Sequence, residues 1–503
     1  MRLNNKTIHS AFVFMALALP CFAADLPQFG ERFTRNQIAN ETGLPSKVDP
    51  VTGEGIKWTS KLGSQSYATP VIAQGKVFVG TNNESPRDPR HKGDRGIIYC
   101  LDEKTGKMIW QSVVPKIGDA AQDWPGAGIA APVTVEGGRV YALNNRVDLM
   151  CLDINGMANG NDGPFKDEAK HQSPATGEQV PVGPTDADII WVADLQALVN
   201  IQRHDTGYGN PLIVGDFLYI NSNNGVDGQH TRVPQPNAPS LLVFDKKTGR
   251  LAGKDAENIG QRLFHNTYSS PSYGVVKGRP QICFGGGDGV VYAFEPLTKM
   301  PPEGTVVDLK RIWKYDPDPT SPKVNVNKYK SNRKVSPSNF LTPVVFVGDR
   351  LYLTVGGDIW WGKFEAWLKC VDAEKGTEIW SYSMKHSCST PAVVGPLIFV
   401  ADTGNKTINC VDTATGKALW THPLEGDIWS SPFVADGKLY IGTRKNKFYI
   451  FAAAKEKNLL CETTLDAPIT ATLSAANGVL YVATHKTLYA LSAGARSMPT
   501  GVR

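Results

Sequence analysis

The chain has 503 residues, 41% of them hydrophobic, with 49 glycines and 34 prolines, the composition of a folded protein rich in turns. Its 53 basic and 48 acidic residues leave a formal charge of +5, too small a surplus for a nucleic-acid footprint. Past residue 23 no stretch approaches the roughly 20 apolar residues of a spanning helix, so no transmembrane segment is expected.

Residues 1–23 carry Arg2 and Lys6, an apolar run over 11–19 and small-residue cleavage options around Cys21-Phe22-Ala23. That pattern predicts a cleaved signal peptide and a periplasmic or secreted product. Residues 24–54 are expected to be an N-terminal extension, 55–494 a single folded ring, and 495–503 a C-terminal tail.

One motif recurs along the chain. Ala68-Thr69-Pro70, Ala130-Ala131-Pro132, Gly209-Asn210-Pro211, Ser269-Ser270-Pro271, Leu341-Thr342-Pro343, Ser389-Thr390-Pro391 and Ser430-Ser431-Pro432 each precede a short apolar stretch, a glycine break and a second strand. Thr470-Ala471-Thr472-Leu473 is a degenerate eighth start. A third strand follows, often ending in Asp and a Thr-Gly or Lys-Gly turn, as at 102–106, 245–249, 372–376 and 412–416. Trp110, Trp191, Trp313, Trp380 and Trp420 mark fourth strands. Four strands of this size cannot bury both sheet faces alone, so the units must stack.

Eight starts predict an all-β fold, an eight-bladed β-propeller. The eighth unit lacks room for a fourth strand, and residues 55–60 (GIKWTS) have its look, tryptophan included. The expected ring is therefore closed by the N-terminal strand pairing into the last blade, which leaves only short, protected edges.

Cysteines sit at one repeated position, just before a strand-ending Asp: Cys100, Cys151, Cys370 and Cys410. A small hydrophobe packs well there, so buried free thiols are expected. With no CxxC or CxxH pattern, no metal-ligand set is assigned.

Residues just before each start should line one mouth of the central channel. At one register these are Tyr67, Ile129, Tyr208, Tyr268, Phe340, Cys388, Trp429 and Thr470; polar neighbours include His204, Asp205, His265, Asn266, His386 and Asp427. An aromatic ring of this kind is a candidate cofactor or ligand platform, although packing around the axis explains the same pattern. His204 and His265 precede consecutive blades and could face one another. Four insertions stand out: 155–188 (polar), 224–240, 316–339 (locally basic, with Lys323, Lys328, Lys330, Arg333 and Lys334) and 356–368, which carries Trp360, Trp361 and Trp367.

The Asp-x-x-Thr-Gly-Lys-x-x-Trp pattern, complete at Asp102–Trp110 and Asp412–Trp420, resembles the tryptophan-docking repeat of pyrroloquinoline-quinone (PQQ)-like propellers. The runs 26–30 (LPQFG) and 269–294 are similar to exported bacterial members of that group, and 224–240 resembles their long ligand-facing loops. The resemblance implies that each blade's Trp stacks on the next blade's turn. It is compatible with two functions. One is a non-catalytic binding or scaffold protein, taking a protein, glycan or small-molecule partner at its mouth and loops. The alternative is a PQQ- and calcium-dependent quinoprotein dehydrogenase acting on an alcohol or sugar. The chain has no adjacent Cys pair and no CxxCH, and the family's calcium ligands and base map onto no position here. Gly207–Pro211 resembles a calcium-ligand run but coincides with a blade start. The first reading, as a monomer with no cofactor assigned, is therefore the expectation.

Overall fold

A computed structural model describes residues 24–496; the expected signal, Cys21 and the residues after 496 lie outside the described residues. Eight sheets form a ring, each built on antiparallel neighbours, with a two-residue parallel strand added at the edge of two of them. The innermost strands are Val71–Ala73, Thr134–Glu136, Leu212–Val214, Ser272–Val276, Val345–Val347, Ala392–Val394, Phe433–Ala435 and Ser474–Ala476. Glu54–Lys61 is the outermost strand of the last sheet, antiparallel to Thr487–Arg496. The ring closes as the repeat count requires.

The repeated Trp and Gly explain each other. The Nε1 of Trp58, Trp110, Trp191, Trp313, Trp380 and Trp420 donates to a backbone carbonyl in the next blade's turn region: Glu103, Ile154, Lys246, Ala373, Thr413 and Ala454, at 2.9–3.2 Å. Gly106 shows why that turn needs glycine: φ is +69°, and an added Cβ would lie 2.5 Å from the Trp58 ring. Cys100, Cys151, Cys370 and Cys410 stand directly across their sheets from Trp110, Trp191, Trp380 and Trp420. A small side chain beside a large indole fills that layer without overpacking. All seven cysteines among the described residues are free and five are buried; burial raises Cys370 to about 11 and Cys410 to about 12. Thiols held that high carry little thiolate at neutral pH.

The N-terminal segment takes a path that the repeats do not announce. It visits the inner strands of successive blades in turn, hydrogen-bonding them through Leu26 and Pro27 (to Ile72 and Val135), Phe33 (Tyr273), Thr34 (Phe346), Asn36 (Val393) and Gln37 (Val434). Ile38–Ala39 then pairs with Phe433–Ala435. The segment is a strap laid against the inner strands, and Arg35 on it is wholly buried. No helix among the described residues is long and apolar enough to cross a membrane.

Candidate functional site

The starts of the inner strands converge at the mouth. Tyr208 and Tyr268 pack edge to face, with centroids 5.2 Å apart, and Tyr67 packs on His485 at 5.3 Å. Trp360, from the blade-five insertion, touches Tyr268 before blade four (5.9 Å) and Trp429 before blade seven (5.7 Å). One indole thus reaches between starts three blades apart. Arg444 lies over the Trp429 ring at 4.1 Å.

Beneath Trp360 and Trp361, three loops bring together three histidines. His265 is central: its Nε2 is 3.1 Å from His204 Nε2 and 3.2 Å from His230 Nε2, and its Nδ1 is 2.8 Å from Asp358 Oδ2. Because a carboxylate only accepts, Nδ1 donates and Nε2 is the nitrogen turned toward the other two rings. Tyr268 Oη is 3.3 Å from His265 and from Asp205 Oδ2, and Asp205 Oδ1 is 3.5 Å from His204 Nε2. His204, His265 and Asp358 are buried; His230 is partly exposed under Trp361, ring centroids 4.8 Å apart.

The sequence builds this locally. Asp194 caps the short helix Leu195–Val199, accepting from the Gln196 and Ala197 amides. The chain then turns through Asp205, whose φ of 63° is unusual for a non-glycine residue. Gly225 bonds to the Gln202 carbonyl and passes so close to His204 that an added Cβ would lie 2.5 Å from the His204 Cβ. Asn266 ties the His204 loop to its own by donating to the His204 carbonyl at 3.2 Å. Asp358 accepts from the Trp360 and Trp361 amides through Oδ1 (2.9 and 3.1 Å), so one carboxylate sets both the histidine and the two indoles.

Burial lowers His204 to about 3 and His230 to about 4, with the other histidines contributing in the same direction. Both are neutral at pH 7, bearing a lone pair each. Burial also opposes charge on Asp358, yet its net direction is downward because His265 and the Trp360 and Trp361 amides hold the carboxylate.

Of the residues expected at the mouth, Tyr208, Tyr268, His204 and His265 come together, Trp360 joins Tyr268 to Trp429, Tyr67 packs on His485, and Asn266 donates to the His204 carbonyl. Phe340 is fully buried in the hydrophobic cluster shared by blades four and five, against Gly285. His386 stacks on Phe364 at 5.0 Å, apart from the histidine cluster. Asp427 is exposed and pairs with Lys406 at 3.3 Å. The sequence singles out neither His230 nor Asp358, although two of the insertions contain them; Trp360 is among the tryptophans named in the second.

His485 offers a pH test. It is buried, with Nε2 3.0 Å from Thr470 Oγ1, and burial, then Arg444, lowers it to about 4. The folded protein therefore resists protonation there, so stability is full above about 6.5 and falls as pH drops from 6.5 toward 4. Thermal melts between pH 7.5 and 4.5 should show a falling midpoint, with a shallower fall in His485→Gln.

Residues 365–459, the outer strands of blade five through blade seven, match the family model described as "Outer membrane protein assembly factor BamB". No curated protein sequence matches the chain. Among solved structures, BamB from Moraxella catarrhalis superposes with a TM-score of 0.53 at 11% identity, covering 87% of this chain and 99% of that one. The protein is an eight-bladed β-propeller, with a PQQ-type repeat matched over residues 365–459. Quinohemoprotein alcohol dehydrogenase ADHIIG from Pseudomonas putida HK5 superposes on this propeller with a TM-score of 0.57 at 12% identity, covering 95% and 82% of the two chains. A europium-containing methanol dehydrogenase gives 0.57 at 12%, covering 91% and 89%. At these identities the likeness concerns the fold alone.

Proposed function

We propose that this PQQ-like propeller is an exported, non-catalytic binding protein that takes an acidic segment of a protein partner at its mouth. The carrying observation is the blade-five loop, which sets Trp360 across the mouth beside a cationic flap. Lys330 lies over the Trp361 ring at 4.8 Å and Arg333 over Phe364 at 5.3 Å. Arg333 also donates to the Trp360 and Gly362 carbonyls (2.6 and 3.0 Å). The flap's own acids are engaged: Asp316 pairs with Lys323 and Asp318 with Lys363. Lys328, Lys330, Arg333 and Lys334 have no carboxylate partner among the described residues. An aromatic floor edged by unpaired cations suits carboxylates and rings together. The match of blades five to seven to an assembly-factor family supports a protein partner over a small substrate.

PQQ with calcium is the competing reading, and the residues at the mouth do not fit it. Calcium takes six to eight oxygen ligands. Here the converging donors are imidazole nitrogens, and Asp358 has both oxygens engaged, by His265 and by two backbone amides.

Two titrations separate the readings. A labelled peptide of alternating Glu and Tyr should bind, weaken with salt, and lose at least about tenfold in affinity with Trp360→Ala or with Lys328→Glu/Lys334→Glu. PQQ should show no calcium-dependent saturable binding. The reverse pattern, quinone uptake requiring Ca²⁺ and indifference to the peptide, would establish the dehydrogenase instead.

A further inference from the structure

Three imidazole nitrogens meeting in one place have a use that a peptide-binding mouth does not call on. The Nε2 atoms of His204, His230 and His265 all lie within 4.8 Å of one another. The two contacts at His265 are 3.1 and 3.2 Å. A tetrahedral ion with metal–nitrogen bonds of about 2.0–2.1 Å needs its nitrogens about 3.4 Å apart, close to the two separations at His265.

The surroundings have the organisation of a ligand set. Asp358 holds the far nitrogen of His265, the carboxylate–histidine arrangement that orients metal ligands and raises their basicity. Asp205 Oδ1 lies beside the trio, 3.5 Å from His204 Nε2. His230 is partly exposed and gives a route of entry from the mouth.

We propose that His204, His230 and His265 bind one divalent first-row transition-metal ion of the zinc class, with Asp205 or a solvent molecule completing the shell. Imidazole donors select such ions over calcium and magnesium. The site stands whether or not the mouth also takes an acidic peptide, because its ligands lie beneath the aromatic loop and include none of the flap cations.

The test uses untagged mature protein stripped with a chelator, titrated with Zn²⁺ and, for its visible spectrum, Co²⁺. One equivalent should bind, with tetrahedral cobalt bands that Zn²⁺ abolishes and a tenfold excess of Ca²⁺ leaves unchanged. His230→Ala, a substitution on a partly exposed loop, should lower the affinity at least about 100-fold while leaving the metal-free melting temperature unchanged. Asp358→Asn should cost about 10–100-fold by loosening His265. His386→Ala should bind as wild type does. Absence of stoichiometric binding, or retention of full affinity in His230→Ala, would overturn the assignment and leave a hydrogen-bonded histidine cluster. Peptide binding is measured separately, so its failure would bear only on the partner.

Discussion

Protein lacking residues 54–61 is expected to lose the cooperative unfolding transition of the intact ring, not merely one strand's share of stability. Three interactions vanish together. The last blade loses its outer strand and exposes the edge of Thr487–Arg496, an open template for aggregation. Ile56, fully buried, leaves the large hydrophobic cluster that joins the last blades to the first. Trp58 no longer docks on the first blade's turn, where its Nε1 meets the Glu103 carbonyl at 3.1 Å, and Ser60 Oγ no longer donates to the Gly106 carbonyl at 2.7 Å. The single substitution Trp58→Ala should cost about 3–5 kcal/mol, as large-to-small changes at buried aromatics do. Circular dichroism melts of both variants check this. An unchanged midpoint in the deletion would mean that the ring does not depend on its closing strand.

Arg35→Ala is the second large effect, expected to cost about 3–5 kcal/mol, because it leaves several buried carbonyls without a donor at about 1–3 kcal/mol each. The guanidinium is wholly buried and has no carboxylate partner among the described residues. It is held instead by carbonyls: Nε donates to Pro271 (2.9 Å), Nη2 to Asn210 and Pro211 (2.9 and 3.2 Å), and Nη1 to Phe29 (3.4 Å). Burial lowers its pKa to about 9, which still leaves it charged at pH 7. Removing it strands carbonyls at the starts of blades three and four and unpins the strap from both. Arg35→Lys should rescue only part of the loss, because one ammonium cannot reach all the acceptors that the planar fork reaches. Urea titration measures both; a loss below about 1 kcal/mol for Arg35→Ala would show that the strap is held by its backbone bonds alone.

The histidine site and the strap show where sequence reading stops. The blade starts, the Asp-Thr-Gly turns and the docking tryptophans repeat at short spacing, and each is satisfied within one blade or against its immediate neighbour. His204 and His265 each precede a blade start, on consecutive blades, which made their juxtaposition legible. His230 and Asp358 share no register. They come from insertions in blades three and five, and the His265–Asp358 bond spans 93 residues. Phe340 shares the register of Tyr208 and Tyr268, yet its ring packs in the cluster between blades four and five, a placement that register alone does not reveal.

By itself the sequence determined the number of blades, the six tryptophans that join blades to their neighbours and the strand that closes the ring, because periodic local packing is written in periodic residues. Only the tertiary structure decided which insertion reaches across the mouth, which carboxylate holds His265, and where Arg35 finds its carbonyls. Those contacts depend on how loops from different blades are aimed into a shared axis, and curvature of the ring, not spacing along the chain, sets that aim.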